Sequence, residues 1–285
     1  MEFEIDRLDG DVLDFDLFVN NFLNLEKPVI ISNVSLDDSD KWTKDNIKKL
    51  FLKEENKEAG WYSFNKNEKL MPEIVLKCMN KIEYSKRKMP MRIFMHPRGH
   101  QSFTHYDGNS VHGLSLQIEG EKEWIIISPK TPLRCIPFMY IAMDREIKEL
   151  PSHLVCTKFR TKPGDLLFLP RYWQHQVSSL EELNINFNWV FTPKSPSLSR
   201  LGRREQEIIY LRNKFPIINK AFFPDSINEY GGAGEELIQN YTKDLSSFRI
   251  LKRFVIELLN YLILPFFYRD LRAKGNLFIK NNFNV

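Results

Sequence analysis

Hydrophobic and polar positions divide this chain into stretches with different periods. Between Met91 and Phe191 the apolar residues come in short runs separated by turn residues. These are Arg92-Ile-Phe-Met95, Leu114-Ser-Leu-Gln-Ile118, Glu123-Trp-Ile-Ile-Ile127, Val155-Cys-Thr-Lys-Phe159, Asp165 to Leu169, Gln176-Val177 and Ile185 to Phe191. β-Branched and aromatic residues dominate the runs, and their length and spacing predict the strands of a double-sheet jelly roll. Ahead of them, Val12, Leu13, Phe15, Leu17, Phe18, Phe22 and Leu23 predict a short helix within residues 12–26, followed by a strand from Pro28 to Ile31. Trp42 to Phe51 predicts a helix capped near Thr43.

Beyond Ser195 the period becomes helical. Arg203 to Asn213 reads as one helix, Gly231-Gly232-Ala233-Gly234 breaks the chain, and Glu235 to Tyr241 restarts it. Phe248, Leu251, Val255, Leu258, Leu259 and Leu262 then form an apolar stripe that Pro265 ends or kinks. The expected fold is mainly β with flanking helices: an N-terminal α/β segment (1–90), a double-stranded β-helix core (91–195) and a C-terminal helical region (196–285). The proline-rich stretch from Pro129 to His153 reads as an irregular insertion able to wall a substrate cleft.

Candidate chemistry sits among the strands. In Thr104-His105-Tyr106-Asp107, positions i and i+2 at a strand end aim the imidazole and the carboxylate into one space while Tyr106 faces away. A third ligand has to come from a strand closing over them. The Pro163-Gly164-Asp165 turn feeds the apolar run that Pro170 stops, and His175 follows it. Two imidazoles and one carboxylate on one face of a metal leave positions open for substrate and dioxygen, the 2-His-1-carboxylate arrangement of non-haem Fe(II) oxygenases. A His-x-Asp pair taken alone also arises by chance in surface loops. His112 is an extra imidazole beside the site and reads as an ordinary hydrogen-bonded histidine; His96, His100 and His153 show no ligand spacing and read as structural or surface residues.

In sequence order, Pro-Gly-Asp, an apolar run and Pro-x-x-Trp-x-His-x-Val, all downstream of Thr-His-Tyr-Asp, resemble the Jumonji C and cupin-like 2-oxoglutarate oxygenases. Within that family the chain is similar to the asparaginyl hydroxylase of hypoxia-inducible factor and its bacterial cupin-like relatives. The likeness runs from about Phe18 to Phe191 and takes in Lys27-Pro-Val-Ile-Ile31, Trp42, Gly99-His-Gln-Ser102, Gln117-Ile-Glu-Gly-Glu-Lys122 and Asn186-Phe-Asn188. It implies that His105, Asp107 and His175 bind Fe(II). It also implies that Lys122 holds the distal carboxylate of the co-substrate 2-oxoglutarate, with Ser102 and Asn188 lining the same pocket. An ammonium suits a carboxylate in a partly desolvated site, although on charge pattern alone Lys122 is one more solvated charge in Glu119-Gly-Glu-Lys-Glu123. The chain departs from the family over residues 108–113, which run about two residues long and place Gly113 where an asparagine is common.

The resemblance implies an oxygenase using Fe(II), 2-oxoglutarate and dioxygen to hydroxylate a protein side chain or a small molecule. Hydroxylation of an N-methyl carbon would make it a demethylase, and a metal-binding cupin-like protein without turnover is the non-enzyme alternative. Composition then narrows the setting. A net charge of +4 over 285 residues is too small to argue for a nucleic-acid partner without a concentrated basic patch, and none is evident. Cys78, Cys135 and Cys156 are odd in number and lack a CxxC pair, and the acidic N-terminus shows no signal-peptide pattern, so the expected location is cytoplasmic. The C-terminal stripe, interrupted by Glu257 and Asn260, is too short to span a bilayer. Packing on its own domain is the first reading, a homodimer interface the second and a membrane-surface helix the third.

Overall fold

A computed structural model describes residues 3–34, 57–58, 61–64, 72–81, 91–102, 104–107, 111–129, 147, 155–191 and 255. The strands in chain order are β1 (Asp6–Asp9), β2 (Val29–Ser32), β3 (Lys57–Glu58), β4 (Trp61–Phe64), β5 (Met91–His96), β6 (His112–Glu119), β7 (Lys122–Ile127), β8 (Cys156–Thr161), β9 (Leu166–Leu169), β10 (Gln174–Ser179) and β11 (Asn184–Phe191). They form an eight-stranded sheet in the order β1-β2-β9-β6-β11-β5-β4-β3 and a three-stranded sheet in the order β10-β7-β8. Each of the seven strand runs expected between Met91 and Phe191 is a strand.

Alternation along the strands sorts their side chains to two faces. On the large sheet, Leu114, Leu116, Leu166, Phe168, Phe187 and Trp189 join one buried cluster. Against that face packs a helical segment, α1 (Phe15–Phe18), running into a π-helical turn at Val19–Leu23. Asp14 caps it, its Oδ1 accepting from the Asp16 and Leu17 amides at 3.0 and 3.2 Å. Phe18, Phe22 and Leu23 deliver the apolar surface predicted for residues 12–26. A second helix, α2 (Glu73–Lys81), adds Val75 to the cluster. The opposite face of the large sheet meets the small one across Ile30, Trp124, Ile126, Leu167 and Leu169.

Two corners need glycine. Pro163-Gly164 forms the centre of a turn in which the Asp165 amide donates to Lys162 O at 2.9 Å, with Gly164 at φ +86° as that turn requires. At Gly120 (φ +70°) the chain leaves the large sheet for the small one, and a β-carbon there would lie 2.4 Å from Leu183 O. Lys122 begins the next strand.

β1, β3, β4 and α2 carry too weak a pattern to be expected from sequence: β1 is Asp-Arg-Leu-Asp, a charged edge strand held parallel to β2. The helix expected at Trp42–Phe51 and the C-terminal helices lie outside the described residues, apart from Val255, which is helical and exposed. Among the described residues no helix is long and apolar enough to cross a membrane.

Candidate metal and co-substrate site

Beside β10, Gln101 forms an isolated bridge with Ser178 and His105 one with His175, and Ser102 N donates to Val177 O at 2.9 Å. At the second bridge the amides and carbonyls are exchanged. His105 N donates to His175 O at 3.0 Å and His175 N donates to His105 O at 2.6 Å. Directly opposed residues of an antiparallel pair project to the same side. The two imidazoles therefore converge, with ring centroids 4.3 Å apart. Asp107, two residues on, brings its carboxylate to the same place, and the ligand atoms of His105, Asp107 and His175 lie within 4.8 Å of one another.

Neighbouring contacts fix these side chains. His175 Nδ1 lies 3.1 Å from Trp173 O, and because a carbonyl only accepts, the proton is on Nδ1 and Nε2 keeps its lone pair. Burial, then the nearby His105, lower the His175 pKa to about 4 against the opposing pull of Asp107, so the ring is a neutral donor at physiological pH. Tyr106 points away, as the alternation predicted, and packs edge-on against Tyr172. Tyr172 sits at φ +67° in the turn between β9 and β10. The turn is anchored to residue 26 by the Arg171–Glu26 ion pair at 2.6 Å and by Trp173 Nε1 donating to Glu26 O. On the small sheet's other face, Thr104 Oγ1 donates to Gln176 Oε1, and the Gln176 amide also exchanges hydrogen bonds with the backbone N–H and C=O of Ile147. Each histidine thus has a chain neighbour tied into one brace. Ile147 packs there on Ile125, Ile127 and Cys156. At this residue the 129–153 segment covers the back of the small sheet; its remaining part, Pro129 apart, lies outside the described residues.

Lys122 occupies the same interior space, at 2 % exposure. Its Nζ donates to Asn186 Oδ1, whose amide nitrogen donates to Ser115 Oγ at 3.0 Å. The ammonium also lies 6.0 Å from the Phe94 ring centroid. Among the described residues no carboxylate pairs with it: Glu123 faces Lys158 and Arg160, while Glu181 and Glu182 engage Arg98. Burial without a counter-charge lowers the Lys122 pKa from its ordinary 10.5 to about 7. A buried cation awaiting an anion is what the end of a dicarboxylate would satisfy.

Ser102 lies against β10 at Val177, whose carbonyl accepts from the Ser102 amide at 2.9 Å. Its Oγ accepts from Val177 N at 2.9 Å, which leaves the hydroxyl proton for another acceptor. Asn188 lies on the inner face of β11 opposite Ser115, but the asparagine that touches Lys122 is Asn186, one step of the alternation earlier. His112 lies on the outer face of the large sheet, where its Nδ1 accepts from Arg171 N and its ring meets Phe168 and Phe191. It stands away from the three ligands. A β-carbon at Gly113 would lie 3.5 Å from Asp107 Oδ2, so glycine here leaves room beside that carboxylate which an asparagine would fill.

His96 and His100, which the sequence offered only as structural or surface residues, stack face to face with centroids 3.7 Å apart, close enough to Lys122 for its charge to lower both imidazole pKa values further than burial does alone. The signal was the alternation of β5: Phe94 and His96 lie opposite Asn186 and Asn184 of β11 and share their face.

Residues 64–197 match the Cupin-like domain family. Among curated proteins, the chain is 38 % identical over 92 residues to ribosomal oxygenase 2 of Bos taurus, covering 32 % of this chain and 18 % of that protein. It is 27 % identical over 128 residues to the 2-oxoglutarate and iron-dependent oxygenase JMJD4 of Mus musculus, covering 41 % and 30 %. With the arginine-specific demethylase JMJ20 of Arabidopsis thaliana it shares 26 % identity over 114 residues, covering 34 % and 23 %. The chain therefore spans less than a third of the length of each of these relatives.

Proposed function

We propose that this chain, whose residues 64–197 match the Cupin-like domain family, is an Fe(II)- and 2-oxoglutarate-dependent oxygenase of the Jumonji C type that hydroxylates a protein side chain or a small molecule. The observation that carries the reading is the coexistence of two features in one interior. His105, Asp107 and His175 offer three donors within 4.8 Å, and Lys122 is a buried ammonium with no carboxylate partner among the described residues. The donor set fits ferrous iron, two neutral imidazoles and one carboxylate leaving a face open.

In this reading His105, Asp107 and His175 hold the metal, and the hydrogen bond from His175 Nδ1 to Trp173 O keeps that ring's tautomer and direction fixed. Lys122 takes the distal carboxylate of 2-oxoglutarate, with Asn186 steering the ammonium and Ser102 and Asn188 lining the way to the metal. Iron bound there supplies the dioxygen chemistry that turns 2-oxoglutarate into succinate and carbon dioxide and oxidises a C–H bond of the substrate. The apolar wall of Ile30, Trp124, Ile126 and Leu169 excludes water from this interior. A reducing, cytoplasmic compartment is the setting the proposal assumes, since it keeps iron ferrous. The relative named as an arginine-specific demethylase favours a second outcome of the same chemistry, in which hydroxylation of an N-methyl group releases the carbon. Incubating the Fe(II)-loaded protein with cell lysate, 2-oxoglutarate and air should give succinate together with products heavier by one oxygen atom or lighter by one methyl group. Fe(II) binding with no substrate-dependent succinate would instead favour a metal-binding protein without turnover.

A further inference from the structure

Beside Lys122 the interior holds a group for which core packing gives no reason. Phe94 and His96 lie on the inner face of β5, ring centroids 6.1 Å apart, and His100 stacks on His96 at 3.7 Å with an interplanar angle of 4°. His100 is delivered by the Pro97–His100 turn, whose backbone is stitched to Ser179: Gly99 N donates to Ser179 O and Ser179 N donates to His100 O, both at 2.9 Å. The stitch sets the pair over Lys122, because Ser179 is the direct cross-strand neighbour of Lys122.

Every member of this group loses hydration on burial, and Lys122 repels the positive form of both rings. The charged groups around it do not relieve this. Arg98 on the same turn is paired at the surface with Glu181 and Glu182, and Glu123 points to the outer face. Among the described residues the cluster of one ammonium and two imidazoles faces no anion. Even a neutral imidazole keeps one N–H to donate.

We propose that His96 and His100 are specificity-determining residues that complete, with Lys122, a cradle for the distal carboxylate of the 2-oxo acid, so that the site selects a dicarboxylate over a monocarboxylate. This rests on the reading of the site as a 2-oxoglutarate site and adds to it the residues that read the co-substrate's far end. The stacked pair forms one wall of the cradle, and its N–H groups add hydrogen bonds to those of the lysine ammonium, part of whose donor capacity is already taken by Asn186 Oδ1.

The test uses the full chain loaded with Zn(II), which is redox-inert and diamagnetic, and compares binding of 2-oxoglutarate with that of 2-oxovalerate, which has the same chelating end and chain length but no distal carboxylate. His96→Phe and His100→Phe keep an aromatic ring in the stack and remove the N–H. Each should weaken 2-oxoglutarate at least about tenfold and leave 2-oxovalerate unchanged, collapsing the preference. In the wild-type chain the imidazole NMR signals of both histidines should shift with 2-oxoglutarate and stay still with 2-oxovalerate, a readout that needs no variant to fold. An intact preference in the folded phenylalanine variants, or immobile imidazole signals, overturns the cradle while a loss in Lys122→Ala leaves the co-substrate reading standing. A wild-type protein that binds Zn(II) but neither 2-oxo acid overturns both.

Discussion

Across the large sheet, β9, β6, β11 and β5 pair in continuous antiparallel register, broken only by a shift between Ile185 and Asn186. The free side of β10 in the small sheet is different. There the neighbouring residues join β10 by isolated bridges at Gln101 and His105 and by single backbone hydrogen bonds at Gly99, His100 and Ser102, without forming a strand of their own. The continuous sheet presents a largely apolar face to its helices, with His112 as a buried polar exception, whereas the interrupted edge carries His105 and releases the chain so that Asp107 can swing to the same point. A strand paired along its whole length would keep side chains in fixed alternation. Ending the ladder at His105 gives convergence without giving up the backbone hydrogen bonds that place it.

The sharpest way to break this comparison is to remove the ligands without touching the ladder. In His105→Ala, Asp107→Ala and His175→Ala the backbone pairing can persist, so the melting temperature should shift little. Fe(II) affinity should fall at least about 100-fold and succinate formation should drop to background. Wild-type turnover in any one of them would strike that residue from the ligand set.

The opposite change acts on the large sheet. Phe168 is fully buried, meets Phe18 edge-on at 5.5 Å and faces away from the metal site. Phe168→Ala should cost about 3–5 kcal/mol of stability in urea unfolding and leave the Fe(II) affinity of the folded protein unchanged. Lost metal binding with unchanged stability would mean that the two faces are not separable in the way described.

How much of this was legible beforehand follows the same division. Strands of the core announce themselves because Leu114 to Ile118 and Glu123 to Ile127 combine β-branched residues with clear punctuation, and His-x-Asp reads as a pair because alternation is a local property. The convergence of His175 on that pair is not local: it depends on a bridge between residues 70 positions apart, and the sequence reached it through family resemblance. The Lys122 pocket shows the limit most plainly. Asn186 and Asn188 share a face, so alternation admits both, and only the register of β11 against β5 and β6 shows which meets the lysine. His96 and His100 are four apart, which in a continuous strand would give them one face but hold them about 13 Å from each other, and they become neighbours through the Gly99 turn.

Lys122 lies where the two sheets cooperate, β7 presenting the ammonium and β11 accepting its hydrogen bond. Lys122→Ala should weaken 2-oxoglutarate by about 2–5 kcal/mol while Fe(II) affinity stays within about twofold. Lys122→Arg should restore little, because the planar guanidinium needs more room than the space between Asn186 and Phe94 was shaped for. Full affinity in the alanine variant would assign the distal carboxylate to another cation.

The smallest effect is also the most specific to a desolvated lysine. In the unliganded protein Lys122 titrates near pH 7 because burial disfavours its charged form. A bound carboxylate favours that form, so the pKa rises when the co-substrate binds. Between the two values, binding takes up a proton. Affinity for 2-oxoglutarate should therefore be level below about pH 7 and weaken above it, by up to about 1.4 kcal/mol or tenfold per pH unit. Titrations from pH 6 to 8.5 check this, with 2-oxovalerate reporting any pH dependence of chelation itself and Lys122→Ala expected to lose the slope. A level 2-oxoglutarate profile in the wild-type protein would show that the ammonium is already charged without its ligand, and burial would not be what sets its titration.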